Sequence, residues 1–225
     1  MHERAIHDTS KDPLTGIDAL AIHLDGDARQ RHIGLLYVSS GAQRLRMAHL
    51  AWHHRLEDDE PPTGGIWLDV GLDDNNALAL ASYCEMVVDK SREAQIPYGL
   101  QYIPDGLDPR TGAWLGDAGE GLTCATFVMA VFQAYHVPLL SAEGWPLRPE
   151  DERWQLKIVE LLGRPGTAAA PDHIARQRKY IGEALRFRPE EVAAAAASSD
   201  RPLHHDVAIP RGEQIKHALL TTACD

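Results

Sequence analysis

The hydrophobic pattern of this chain changes period once, near residue 73, and that change bounds the fold more tightly than any motif. Before it lie four apolar runs of strand length: Ile17–Leu24, His32–Val38, Leu45–Trp52 and Ile66–Leu72. The first stops at Asp25-Gly26-Asp27 and the second at Ser39-Ser40-Gly41, both turn-forming clusters. The acidic, Pro- and Gly-rich stretch 57–65 reads as a loop. Strands joined by short connections favour an antiparallel sheet over a doubly wound one. After residue 73 the spacing becomes helical. Leu80, Cys84, Val87 and Val88 share one face over residues 76 to 94, with N-cap candidates in Asp73-Asp74-Asn75-Asn76. Residues 97–121 hold six glycines and three prolines and read as a long loop, a place where function concentrates. A second helix is expected over 123–135 and a third from Pro149 to a stop at Gly163. A fourth starts at Pro171, with Ile174, Ile181 and Leu185 on one face, and a fifth runs from Pro189 into Ala193–Ala197. The tail after Pro202 has no clear period. The expected fold class is α+β: a small antiparallel sheet packed against a cysteine-bearing helix, with extra C-terminal helices. Residues 1–163 form the α+β unit, and residues 164–225 a helical extension packed on it.

Composition narrows the function. A chain of 225 residues buries a sizeable core without disulfide or metal staples. Its formal charge of −11, with no basic tract, argues against nucleic acid and anionic membranes as partners. The charge suits a basic protein partner, if any protein partner. No segment approaches the roughly 18 consecutive apolar residues of a membrane span, and the polar N-terminus has no signal-peptide core. A cytoplasmic location is expected, with export by a non-Sec route left open. Cys84, Cys124 and Cys224 show no CxxC spacing, so neither a zinc ribbon nor a disulfide scaffold is expected.

The most informative stretch is Gly119-Glu120-Gly121-Leu122-Thr123-Cys124-Ala125-Thr126-Phe127-Val128. A Gly-rich approach delivers a cysteine into the first turn of an apolar helix. There the macrodipole and the unpaired N–H groups should lower the thiol pKa from its free value of about 8.5. The same N–H groups can hold an oxyanion beside the sulfur. The bland alternative is a buried structural cysteine, among the most buried of residue types. Cys84, mid-helix in an apolar stripe, should be inert, and Cys224 lies in the tail. A thiol nucleophile needs a base. His49, inside a strand run, is the sequence's leading candidate, with Asp69 as a diagonal neighbour if the runs holding His49 and Asp69 form a hairpin.

These residues resemble a family. Met47-Ala48-His49-Leu50, Trp67-Leu68-Asp69 and Gly121-Leu122-Thr123-Cys124-Ala125-Thr126-Phe127-Val128 follow the order of the circularly permuted papain-like cysteine hydrolases, which include NlpC-type cell-wall peptidases and lecithin–retinol acyltransferase-like proteins. The resemblance spans about residues 30–137. It implies a small sheet packed on the cysteine helix, Cys124 as nucleophile, His49 as base and a polar third residue at or near Asp69. It also implies cleavage or transfer at an amide, isopeptide or acyl bond through a thioester, with no cofactor. The chain departs from the family in offering Asp69 where His, Asn or Gln is usual, and Ala125-Thr126-Phe127 where papain-like enzymes place an aromatic directly after Cys-Ser or Cys-Gly. Tyr98, Tyr102, Trp114 and Thr123 are the expected substrate contacts, aromatic core filling being the bland alternative for the three rings. Two rival readings stand beside this one. His49, His53 and His54 form an HxxxHH cluster that on a helix would present two metal ligands, giving a metal-dependent hydrolase. Alternatively, the chain is a non-catalytic acidic module that binds protein.

Overall fold

In the computed structural model, which describes residues 5–12, 14–93 and 95–222, six strands form one sheet. They are β1 (Ile6–Asp8), β2 (Leu20–Gly26), β3 (Arg31–Val38), β4 (Leu45–Trp52), β5 (Arg55–Asp59) and β6 (Ile66–Asp69). Their order is β1-β6-β2-β3-β4-β5, and every pairing is antiparallel. Alternation decides what each face carries. Leu20, Ile22 and Leu24 of β2, Ile33, Leu35 and Tyr37 of β3, Ala48 and Leu50 of β4, and Ile66 and Leu68 of β6 point one way, into the main core. Ala21, Leu36, Met47 and Trp67 point the other way, under a small apolar cap made with Leu14 and Ile17. The period places His23, His32 and His49 on this second face.

Six helices follow: α1 (Asp74–Ser91), α2 (Cys124–Ala134), α3 (Pro149–Leu162), α4 (Pro171–Arg178), α5 (Pro189–Ala197) and α6 (His205–Thr222). Asp73 caps α1, its side chain accepting from the Asn76 N–H. Helices α1, α2 and α5 pack on the main core face. Val192 to Ala196 of α5 sit in the same core as the sheet. No helix among the described residues is long and apolar enough to cross a membrane.

Four expectations are corrected. The stretch 57–65 is not all loop, because β5 runs to Asp59 and forms a hairpin with β4. As an edge strand it tolerates the charged side chains that disguise it. With β5 in that place, β6 is free to insert between β1 and β2, so β2 and β3 separate Asp69 from His49. The hairpin that would have made them neighbours does not form. Asp69 instead lies 3.8 Å from His7. Helix α4 ends at Arg178, and Gly182 at φ +79° turns the chain, so Ile181 and Leu185 lie beyond it. The tail without a period holds α6, the length of α1.

Candidate active site

Cys124 enters the core at a fork in the sheet. The β3–β4 pairing runs from Val38↔Leu45 to Leu35↔Ala48 and goes no further, while a register shift between Leu50 and Trp52 bends β4. Beyond that point the start of β3 is not held by β4, and the first turn of α2 reaches the opening. The backbone N–H groups of Ile33 and Ala125 lie beside the sulfur and favour its thiolate form. The turn is fixed by a reciprocal cap. Thr123 Oγ1 accepts from the Thr126 N–H at 3.1 Å, and Thr126 Oγ1 accepts from the Thr123 N–H at 2.7 Å.

Tyr98 arrives from the long loop. Its segment runs beside residue 122, with Gly99 donating its N–H to the Leu122 carbonyl and Leu122 donating to that of Pro97. A Cβ on Gly121 would lie 2.5 Å from the Pro97 oxygen, so only glycine permits this approach. The Tyr98 hydroxyl then lies next to Cys124, close enough for its backbone N–H and its sulfur to influence the phenol. His53 Nδ1 accepts from the Tyr98 N–H at 3.1 Å, and His173 Nε2 donates to its carbonyl at 2.8 Å. The segment is therefore clamped from both sides.

Burial decides the electrostatics. It pushes the Cys124 thiol up to about 11, overriding the two N–H groups, the nearby Arg186 charge and the helix terminus. This corrects the expectation of a lowered pKa: the macrodipole is worth about 0.3–1 kcal/mol, less than the desolvation of a thiolate. The Tyr98 hydroxyl is raised well above its usual value, chiefly by burial, and stays a donor. Cys84 is completely buried and its thiol is raised further still, as expected of an inert residue. Cys224 lies outside the described residues.

A small cleft of about 40 Å³ opens over Cys124. Thr123, Tyr98, His32, Trp154, Arg186 and Phe187 are among the residues that line it. His49 does not line it. Alternation turns the rings of both His49 and His32 away from the main core, and of the two only His32 is at the cleft. His49 is thus off the cleft wall, and His32 is the histidine among the described residues that lines the cleft with Cys124. The two rings are joined, His32 Nε2 lying 2.8 Å from His49 Nδ1, and His49 Nε2 lies 3.0 Å from Asp59 Oδ2. An ionised carboxylate only accepts, so it fixes the His49 proton on Nε2. His49 Nδ1 then accepts from the His32 Nε2–H, and His32 Nδ1 is left with the lone pair. Burial, followed by the neighbouring His49 and His23, lowers the His32 pKa to about 4, so the ring rests neutral.

Of the other expected site residues, Tyr102 stacks edge-on against Phe187 at 5.6 Å, one ring behind the cleft. Trp114 packs on Gly106 and Gly116 and on the core, away from the cleft. The HxxxHH cluster is split because residues 45–52 form a strand rather than a helix. His53 stacks on His54 at 3.9 Å and on His173 at 4.7 Å, while His49 belongs to the His32 pair. Among the described residues no group of three or more His, Cys, Asp or Glu is arranged to hold a metal ion. The sequence did carry a signal for the approach of His49 to β3, though none for Asp59. Gly34, a glycine inside an otherwise bulky strand, marks a close approach. A Cβ there would lie 2.9 Å from that of His49.

Comparison of this chain with protein-family models, with curated proteins and with solved structures finds no significant match.

Proposed function

We propose that this protein is a thiol-dependent hydrolase or acyltransferase of permuted papain-like type, acting on an amide, isopeptide or acyl bond. The observation that supports the reading is a cleft lined by both Cys124 and His32, with the His32 ring tied through His49 to Asp59. Cys124 is the nucleophile, His32 the proton acceptor, and His49 with Asp59 the pair that fixes the His32 tautomer. Both reacting groups rest neutral, so the proton leaves Sγ for His32 Nδ1 as sulfur bonds to the carbonyl carbon. The oxyanion is received by the Cys124 N–H and the Tyr98 hydroxyl. His32 then protonates the leaving group, and water or another acceptor resolves the thioester.

The reading is tested by exposing the native chain to iodoacetamide at pH 7 and locating the modified thiol by mass spectrometry. Cys124 is expected to react and Cys84 to stay silent until denaturation. His32→Ala is expected to slow the Cys124 reaction by about 100-fold, within the usual range for loss of a general base. A Cys124 as silent as Cys84 in the native protein would refute the reading.

A further inference from the structure

Resting on the reading above, and adding to it a substrate class, we infer that Arg186 makes the cleft selective for an acyl donor carrying a carboxylate beside the scissile bond. The cleft has two arginines on its wall, and their hydrogen bonding separates them. Arg31 is spent: Nε and Nη2 lie on the Glu190 carboxylate at 2.8 and 2.9 Å, and Nη1 on the carbonyls of Asp27 and Ala28. Arg186 is held at one corner, with Nη1 on Asp151 Oδ1 at 2.9 Å. Asp151 is also shared with Arg148 and Arg188, so it neutralises Arg186 only in part. Arg148 has Glu191 and Arg188 has Glu150 as second partners, whereas Asp151 is the ion-pair partner of Arg186 among the described residues.

The guanidinium is also held flat, its carbon 3.9 Å above the Trp154 ring, itself part of the cleft wall. The Arg186 carbonyl accepts from the Trp145 indole at 3.1 Å and from Arg148 Nη2 at 2.7 Å, which pins its backbone. A planar fork, rigidly backed and with one edge that no hydrogen bond from the described residues occupies, matches a carboxylate. One positive charge suits one negative charge better than a dianionic phosphate. The chain carries −11 overall, with Asp25 near the sulfur, so its general field repels anions. Attraction of an anion to this cleft therefore has to come from a local cation, and Arg186 is the one placed for it.

Two alkylating reagents of nearly equal size separate the possibilities. Iodoacetate carries the carboxylate and iodoacetamide is its neutral analogue. Their rates at Cys124 in the full chain, read by mass spectrometry, are compared with their rates at 2-mercaptoethanol. The expected ratio of iodoacetate to iodoacetamide at Cys124 is about tenfold above the free-thiol ratio, as one charge-assisted contact would give. Arg186→Gln is expected to bring it to the free-thiol value while iodoacetamide still reacts, and Arg186→Lys to retain part of the preference. A free-thiol ratio in the unaltered protein overturns the inference with no need of a folded variant. So does a preference that survives Arg186→Gln. Failure of both reagents to reach Cys124 removes the thiol chemistry itself, and this inference with it.

Discussion

Gly34 is the residue on which the paired histidines depend. It stands opposite His23 on β2, and its missing side chain leaves room for Met47 and His49 from β4. A Cβ there would lie 2.5 Å from Met47 Cε and 2.9 Å from His49 Cβ. Neither neighbour gives easily, since Met47 is packed into the cap on that face and the His49 ring is tied at both nitrogens. Gly34→Ala is therefore expected to destabilise the fold by about 1–3 kcal/mol, the ordinary range for overpacking. It should also slow alkylation of Cys124 by displacing the ring that orients His32. Urea denaturation checks the first effect and thiol labelling the second; an unchanged midpoint would mean that the strands part without strain. The choice between His32 and His49 was the point where residue-level reading of the sequence failed. Both occupy strand runs, and period 2 puts both on one face. What separates them is the fork between β3 and β4, a feature of pairing rather than of either strand.

At the scale of elements, the helix that carries the thiol is the best specified part of the chain. Gly119 and Gly121 allow the approach, Thr123 caps, and the run from Cys124 to Phe132 is buried throughout. Thr123→Ala removes one acceptor and frees the Thr126 N–H, which should cost about 0.5–2 kcal/mol, measurable as a shift in the denaturation midpoint. A stability equal to that of the unaltered chain would mean that packing alone fixes this turn. Helix starts at Pro149, Pro171 and Pro189 were legible because proline at the first position carries its own signal. The sheet was legible as strands but not as an order. β5 escaped notice because Arg55, Glu57, Asp58 and Asp59 look like solvent-facing loop, yet an edge strand needs only its backbone. That one omission misplaced Asp69 and hid Asp59. The raised Cys124 thiol was hidden for a different reason: sequence shows a helix terminus but not how deeply that terminus is buried.

Across the whole molecule, buried imidazoles set how the fold responds to acid. Burial lowers His32 and His53 to about 4, and lowers His23, His54 and His173 as well. In the unfolded chain each titrates near 6.5. Between those values the unfolded state binds more protons than the folded one, so stability falls as the pH drops from about 6.5 towards 4. Asp25 and Glu191, whose carboxyls burial raises, act with the opposite sign, since the fold takes up their protons first. They are two groups against five, so they soften the decline rather than reverse it. His53 is the most exposed to this chemistry in a functional sense. Its Nδ1 accepts the Tyr98 N–H, and that nitrogen cannot take a proton without releasing the bond. Against it pack His54 from its own turn and His173 from α4, with the Arg176 charge further along that helix, and all three oppose its protonation or that of His173. Thermal unfolding should therefore show a Tm that is flat from about pH 7 to 8 and falls steadily between pH 6.5 and 4. His53→Gln, which keeps an acceptor but cannot titrate, should flatten part of that slope. A Tm independent of pH across the window would mean that these rings are solvated and that the clamp on Tyr98 is loose. A slope unchanged by the substitution would assign the acid sensitivity to the other four, His23, His32, His54 and His173.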